Sequence, residues 1–192
     1  AAKALDALSA WLAGWSADAQ WQAKAAREAV AWRDTVSDIV GVRDVEPPAL
    51  PYDGEVIGAV QRSHADSPAH DIVVCAAGTL PGELHKLWRA ARPGAYHVEY
   101  GYSCMGYEIA GGIGVKMARP DREVVVTVGD GSYLMMNSEI ATSVMLGRKL
   151  IIVVLDNRGF GCIQRLQSAS GGERFNNLLA DCVQGPDGPP AI

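Results

Sequence analysis

A chain of 192 residues, 48% hydrophobic and 20% charged, can bury a core and is not intrinsically disordered. Its 17 Lys and Arg against 22 Asp and Glu give a net charge of −5, and no basic run interrupts that balance, so nucleic acid is not an expected partner. The longest apolar run, residues 150–155, is far shorter than the roughly 20 residues that cross a membrane, which argues against a membrane partner. We expect an acidic globular protein of the cytoplasm.

The cysteines and histidines do not form a recognisable metal motif. The sequence has no C-x-x-C pair and no H-E-x-x-H spacing, so a zinc site is not expected. Widely separated cysteines in a reducing compartment favour free thiols over disulfides. The four cysteines are Cys75, Cys104, Cys162 and Cys182.

The first 46 residues are rich in alanine and predict a helical arm. Apolar residues recur there at helical spacing, and four tryptophans favour packing of the arm on a neighbouring domain over a ligand cage. The tryptophans are Trp11, Trp15, Trp21 and Trp32. Residues 46–51, Glu-Pro-Pro-Ala-Leu-Pro, break the helix and predict an extended linker.

After the linker, apolar strands alternate with helices. The pattern predicts strands at 71–75, 123–128 and 149–155, and helices at 54–63, 83–91, 104–118 and 137–146. β-branched runs of this kind are typical of strands that are buried on both faces. We therefore predict an α/β domain of three layers with a mostly parallel sheet.

Polar residues follow two of these strands directly. Asp130 lies in the turn Gly129-Asp130-Gly131-Ser132 after one strand, and Asn157 follows the next strand. Neighbouring parallel strands would bring these residues to one sheet edge with about 5 Å between the strands. Ligands of open α/β sheets bind at that edge.

The chemistry of this edge suits a metal ion and a phosphate group. A carboxylate, an amide oxygen and free carbonyls are ligands that Mg²⁺ prefers, usually together with phosphate oxygens. Gly129 and Gly131 allow close approach of the backbone, whose successive N–H groups can cradle phosphate, and Ser132 adds a hydroxyl donor. The two turns together indicate a metal- and phosphate-binding site far more specifically than either turn alone.

These motifs resemble the GDG…N signature of thiamine-diphosphate enzymes of the acetolactate-synthase and pyruvate-decarboxylase group. Residues 99–112, Glu-Tyr-Gly-Tyr-Ser-Cys-Met-Gly-Tyr-Glu-Ile-Ala-Gly-Gly, are similar to a second segment of that family. The resemblance implies a thiamine-diphosphate-binding fold over residues 47–192, with residues 1–46 as the tail of the family's middle domain. It also implies thiamine diphosphate and Mg²⁺ as cofactors.

The resemblance assigns roles to residues of this sequence. Asp130, Asn157 and the Gly159 carbonyl would bind Mg²⁺, while Gly129, Gly131 and Ser132 would hold the diphosphate together with Asn157. Met105 would bend the cofactor into its V shape, and backbone groups of Ser103 and Met105 would meet the aminopyrimidine ring.

Within the family, several sequence segments resemble those of one subgroup. Its members are hydrolases that open the ring of a cyclic dione to 5-deoxyglucuronate in inositol degradation. These segments are 102–112, 129–140 and 157–163, and the tail segment 175–179 also resembles this subgroup. Two alternatives keep the cofactor: an acetolactate-synthase-like carboligase and a 2-keto-acid decarboxylase. Another class is a non-catalytic nucleotide-binding or assembly domain. The nucleotide-binding alternative would require a G-x-G-x-x-G turn after the first strand, and the nearest glycines fall inside a predicted helix instead.

The resemblance also implies what these residues lack. The family activates its cofactor with a glutamate on a separate N-terminal domain, and Glu99, Glu108 and Glu139 have no feature that gives them this role. A structural or interface role is favoured for Glu108 and Glu139. We expect no catalytic residue here, an inactive fragment that is truncated at its C-terminus, and a homo-oligomeric intact enzyme.

Overall fold

The computed structural model describes residues 2–42, 51–63 and 71–182. The chain divides into two compact units, Ala1–Asp38 and Ile39–Ile192. The predicted linker at 46–51 falls almost entirely outside the described residues, and the tail after residue 182 lies wholly outside them.

The first unit is helical, as the alanine-rich composition predicts. Helix α1 covers Ala2–Trp11 and helix α2 covers Ala19–Val40. Asp18 caps α2, because its Oδ1 accepts hydrogen bonds from the N–H groups of Gln20 and Trp21. All four tryptophans of the arm are exposed. Their packing on a neighbouring domain stays a prediction.

The second unit alternates helices and strands. In chain order, its elements are α3 (Asp53–Ser63), β1 (Asp71–Cys75), α4 (Thr79–Leu87), β2 (Tyr96–Val98), α5 (Glu108–Ala118), β3 (Glu123–Gly129), α6 (Asp130–Met136), α7 (Glu139–Met145), β4 (Ile151–Leu155), α8 (Gly161–Ala169) and a short 3₁₀ turn (Leu179–Asp181).

The four strands form one parallel sheet in the order β2-β1-β3-β4. The predicted α/β class with a parallel sheet is confirmed. Strands β3 and β4 are neighbours, and Gly129 is paired with Leu155 at their carboxyl ends. The polar turns after both strands therefore emerge at the same edge, as the sequence predicts.

The core is centred on the two inner strands. Helices α4 and α5 both pack on β1 and β3, and residues 124–128 of β3 are at most 2% exposed. Strand β4 differs, because all its residues are partly exposed and Val154 is 42% exposed. The expectation of burial on both faces is thus confirmed for β3 and wrong for β4. Strand β4 lies at the end of the strand order, whereas α4 and α5 pack on the inner strands β1 and β3.

Several element boundaries differ from the prediction. Helix α5 begins at Glu108 instead of residue 104, because Gly106 has a φ of 93°, outside the helical region. Helix α4 ends at Leu87, where the next residue, Trp88, takes an extended conformation. Strand β2 and helices α6 and α8 were not predicted. Within the described part of the chain, no helix is both long and apolar enough to cross a bilayer.

Candidate functional site

A pocket opens at the carboxyl ends of β3 and β4. Most of the predicted site residues line it: Met105, Gly129, Asp130, Gly131, Ser132, Asn157 and Gly159. Ser103 is not part of this lining; it is exposed and has a φ of 53°. The sheet edge thus brings together residues that lie more than 50 positions apart in the sequence.

The structure adds lining residues that the sequence analysis missed. They come from the start of α3, the segment after β1, the end of β4 and the first turn of α8: Asp53, Ala77, Gly78, Leu80, Leu155, Phe160, Gly161, Cys162 and Ile163. The available signal was topological, because β1 also ends at this edge of the sheet.

Three helices begin at the pocket. Gly78 precedes α4, Gly129 precedes α6, and Phe160 precedes α8, and each of these residues lines the pocket. In the described part of the chain, none of these three preceding residues caps its helix with a side-chain hydrogen bond. The first N–H groups of a helix have no partner within the helix and carry partial positive charge. The pocket therefore suits an anion with several oxygens, such as a diphosphate.

The two carboxylate oxygens of Asp130 differ in their hydrogen bonding. Its Oδ2 accepts a hydrogen bond of 2.7 Å from the N–H of Gly159. Its Oδ1 is buried and has no hydrogen-bond partner among the described residues. A buried carboxylate oxygen without a partner is costly unless a ligand or ion completes it. The neighbouring side chain of Asn157 is exposed at the same edge, so this set of oxygens fits a hard cation.

Two glycines give the pocket its shape. Gly159 has a φ of 136°, and a Cβ there would lie 2.4 Å from the carbonyl oxygen of Asn177. A Cβ on Gly131 would lie 2.6 Å from the ring of Phe160. Hydrogen bonds fix the same loop, because the N–H of Phe160 donates to the carbonyl of Asn177 over 2.7 Å. A side chain at either glycine would displace the pocket wall.

The hydroxyl of Ser132 is engaged inside the protein. Ser132 Oγ donates to Glu108 Oε1 over 2.7 Å and accepts from the N–H of Gly106 over 2.8 Å. Glu108 Oε1 also accepts from the N–H of Ala77 over 3.2 Å. These bonds tie together three segments of the pocket wall.

The segment before Met105 is ordered by another glutamate. Glu99 accepts hydrogen bonds from the N–H groups of Cys104 and Tyr102, and these bonds hold the pKa of its carboxyl below the usual value. The hydroxyl of Tyr107 accepts from the N–H of Glu99 and donates to the carbonyl of Cys75, at the end of β1. The backbone near Met105 is thereby anchored to the sheet.

Comparison with known proteins places this geometry in a family. The family model described as "Thiamine pyrophosphate enzyme, C-terminal TPP binding domain" matches residues 76–187. This range contains all but one of the residues that line the pocket, the exception being Asp53.

Relatives with the same printed name share about half of their aligned residues with this chain. The 3D-(3,5/4)-trihydroxycyclohexane-1,2-dione hydrolase of Shouchella clausii (strain KSM-K16) is 54% identical over 103 residues, which are 54% of this chain and 16% of that protein. The protein of that name from Bacillus subtilis (strain 168) is 51% identical over 108 residues, 56% of this chain and 17% of its own length. The one from Geobacillus thermodenitrificans (strain NG80-2) is 52% identical over 137 residues, 68% of this chain and 21% of its own length. The chain thus matches about a fifth or less of the length of these relatives.

A solved structure has the same fold at low sequence identity. The thiamine diphosphate-dependent 4-hydroxybenzoylformate decarboxylase of Rhodococcus jostii RHA1 aligns with a TM-score of 0.63 and 18% identity, over 79% of this chain and 26% of the decarboxylase. The fold, the pocket and the family match agree: this chain belongs to the thiamine pyrophosphate enzymes and contains their C-terminal cofactor-binding domain.

Proposed function

We propose that this chain is the diphosphate- and Mg²⁺-binding module of a hydrolase that opens the ring of trihydroxycyclohexane-1,2-dione. The observation that carries the cofactor role is the pocket at the sheet edge, where three uncapped helix starts surround an unengaged oxygen of Asp130. The substrate rests on the relatives that carry this enzyme's name and are 51–54% identical to the chain.

The proposed Mg²⁺ site uses oxygen ligands only. Oδ1 of Asp130, the side-chain oxygen of Asn157 and the carbonyl of Gly159 would bind the ion, and the cofactor's phosphates would add further oxygens. The N–H of Gly159 holds the other oxygen of Asp130 and so fixes the orientation of the carboxylate. The cation would neutralise part of the diphosphate charge at a protein whose net charge is −5.

The chain's other residues would bind and orient the cofactor. N–H groups of Gly131 and Ser132 and those of the other two helix starts would hold the diphosphate. Met105 lines the pocket and would support the rings of the cofactor. When bound, thiamine diphosphate supplies the electron sink for carbon–carbon bond cleavage.

We further propose that the module works within a longer, homo-oligomeric enzyme of the cytoplasm. The relatives are about five times longer than the matched segment or more, and the proposed activating glutamate would come from another domain. Exposed apolar side chains on α6 and α7 support a protein partner that covers these two helices. They are Leu134, Met135, Met136, Val144 and Met145. By itself, the module would bind cofactor and not turn over substrate.

Calorimetric titration of the intact enzyme with thiamine diphosphate tests the cofactor site. We expect binding that requires Mg²⁺ and is abolished by excess EDTA and by Asp130→Ala. Asp121→Ala is the matched control, because this exposed carboxylate lies at the opposite end of β3, before Glu123. Cofactor binding by Asp130→Ala with wild-type affinity would contradict the proposed metal site.

Turnover tests the proposed substrate. We expect the intact enzyme to consume the cyclic trihydroxydione and to leave pyruvate unchanged. Conversion of pyruvate to acetolactate or acetaldehyde would instead indicate the carboligase or decarboxylase alternative. Either result would leave the cofactor site itself intact.

A further inference from the structure

Glu108 is a buried carboxyl group directly behind the cofactor pocket. It is the first residue of α5 and is 0% exposed. Its Oε1 accepts hydrogen bonds from Ser132 Oγ and from the N–H of Ala77, while Ser132 Oγ accepts from the N–H of Gly106. Glu108 Oε1 thus links the segment after β1 to the aspartate turn after β3, and Ser132 Oγ extends this link to the segment next to Met105.

Burial of the Glu108 carboxyl group costs desolvation free energy, and its hydrogen bonds offset only part of that cost. Among the residues that the structure describes, no Lys, Arg or His forms an ion pair with Glu108, and its Oε2 is buried without a hydrogen-bond partner. Burial of an unpaired carboxyl group destabilises a fold in general, whereas an apolar residue in the same place carries no such desolvation cost. Such a cost points to a role other than packing.

We infer that Glu108 is a positioning residue for the cofactor pocket. This inference rests on the proposed function. A serine hydroxyl has one proton, and here Ser132 donates it to Glu108. The contact of Ser132 with the diphosphate would then come from its main-chain N–H, not from the hydroxyl that the sequence suggested. Glu108 holds the turn in the orientation that presents this N–H, and it fixes the turn relative to the segment that carries Met105.

A competing explanation is purely structural. A carboxylate in the first turn of a helix interacts favourably with the helix dipole, and Glu108 occupies that turn of α5. The two explanations depend on different properties of the side chain. The helix dipole needs negative charge, whereas positioning of Ser132 needs an acceptor oxygen at the right distance.

Two substitutions in the intact enzyme separate these explanations. Glu108→Gln keeps the acceptor at the same distance and removes the charge. Glu108→Asp keeps the charge, suits a first helical turn and withdraws the oxygen by one methylene. The measurements are the dissociation constant of thiamine diphosphate with Mg²⁺, from quenching of tryptophan fluorescence, and the urea midpoint of unfolding.

We expect Glu108→Asp to weaken cofactor binding about tenfold or more and Glu108→Gln to stay within about threefold of the wild type, the range known for residues that orient direct ligands. The opposite order, with tight binding by Glu108→Asp and weak binding by Glu108→Gln, would overturn the inference in favour of the dipole. Wild-type affinity in both variants would overturn it as well.

A double-mutant cycle with Ser132→Ala tests the link itself. If Glu108 acts through Ser132, the double variant Glu108→Asp/Ser132→Ala binds about as weakly as the weaker single variant; multiplied effects would contradict the link. Ile113→Ala, a core truncation in the same helix, controls for lost stability and should lower the urea midpoint without changing cofactor affinity. Absence of binding by the wild type would refute the proposed function, a result distinct from failure of this inference.

Discussion

Strands β3 and β4 are neighbours of similar composition that differ in burial. Both consist almost entirely of valine and isoleucine apart from their ends and Thr127. In β3, Val126 is 0% exposed, whereas Val154 in β4 is 42% exposed. One continuous parallel ladder pairs them, from Val125 with Ile151 to Gly129 with Leu155.

This difference shows that apolar composition predicts a strand but not its surroundings. Burial of a strand's side chains requires elements packed on the faces of the sheet, and α4 and α5 pack on the inner strands β1 and β3. Strand β4 has one neighbour within the described sheet. Its composition thus suits an environment that the described residues do not provide by themselves.

Truncation of one valine in each strand should give the largest difference in the free energy of unfolding between the two strands. Val126→Ala should lower the free energy of unfolding by about 2–3 kcal/mol, because it leaves a cavity in the core. Val154→Ala should change it by less than about 0.5 kcal/mol, as is usual at exposed positions. Urea unfolding of both variants measures the difference. Equal losses would show that β4 is as buried as β3 in solution.

A pair of glycines in α5 tests the same packing from the helix side. A Cβ on Gly112 would lie 2.5 Å from Val126 Cγ2, whereas a Cβ on Gly114 would meet nothing within 4 Å. Gly112→Ala should therefore cost about 1–2 kcal/mol through overpacking against β3. Gly114→Ala, in the same helix, should stabilise by up to about 1 kcal/mol through helix propensity. Stabilisation by both variants would contradict the close approach of α5 to β3.

The smallest predicted effect is a pH dependence in the segment after β2. This segment is largely exposed, and hydrogen bonds to Glu99 order it. Hydrogen bonds from the N–H groups of Cys104 and Tyr102 lower the pKa of Glu99 in the folded state. The stabilisation from Glu99 is therefore complete above its unfolded pKa of about 4.3 and is lost as the pH falls through the lower folded value.

NMR amide shifts of Cys104 and Tyr102 measure this titration directly. We expect both shifts to move with a common midpoint below about pH 4.3. Glu99→Gln should remove that titration while the rest of the spectrum stays unchanged. A midpoint at or above the ordinary glutamate value would show that the two hydrogen bonds do not favour the charged form.

The sequence was a good guide where the signal is local. The valine run before Asp130 predicted β3, and the polar residues after both strands predicted one sheet edge, because parallel strands end on the same side. The pocket lining contains these predicted residues. Their ligand roles stay predictions.

The sequence was a poor guide where contacts are long-range. Glu108 was expected to be structural or at an interface, and its bonds to Ala77 and Ser132 bridge 31 and 24 residues. Asp53 enters the pocket from a helix far along the chain. No periodicity or spacing records such contacts, since they depend on how strands are ordered in the sheet.

The uncapped starts of α4, α6 and α8 have a consequence for how this protein can change over evolution. An anion held by main-chain N–H groups is insensitive to most substitutions, because every residue except proline supplies the same donor. Mutations of side chains around the pocket can therefore alter substrate preference while cofactor binding is retained. A scaffold of this kind tolerates divergence in chemistry at a constant cofactor. Its vulnerable positions are few: those that donate an N–H to the anion, which cannot become proline, and the glycines, such as Gly159, that it must keep.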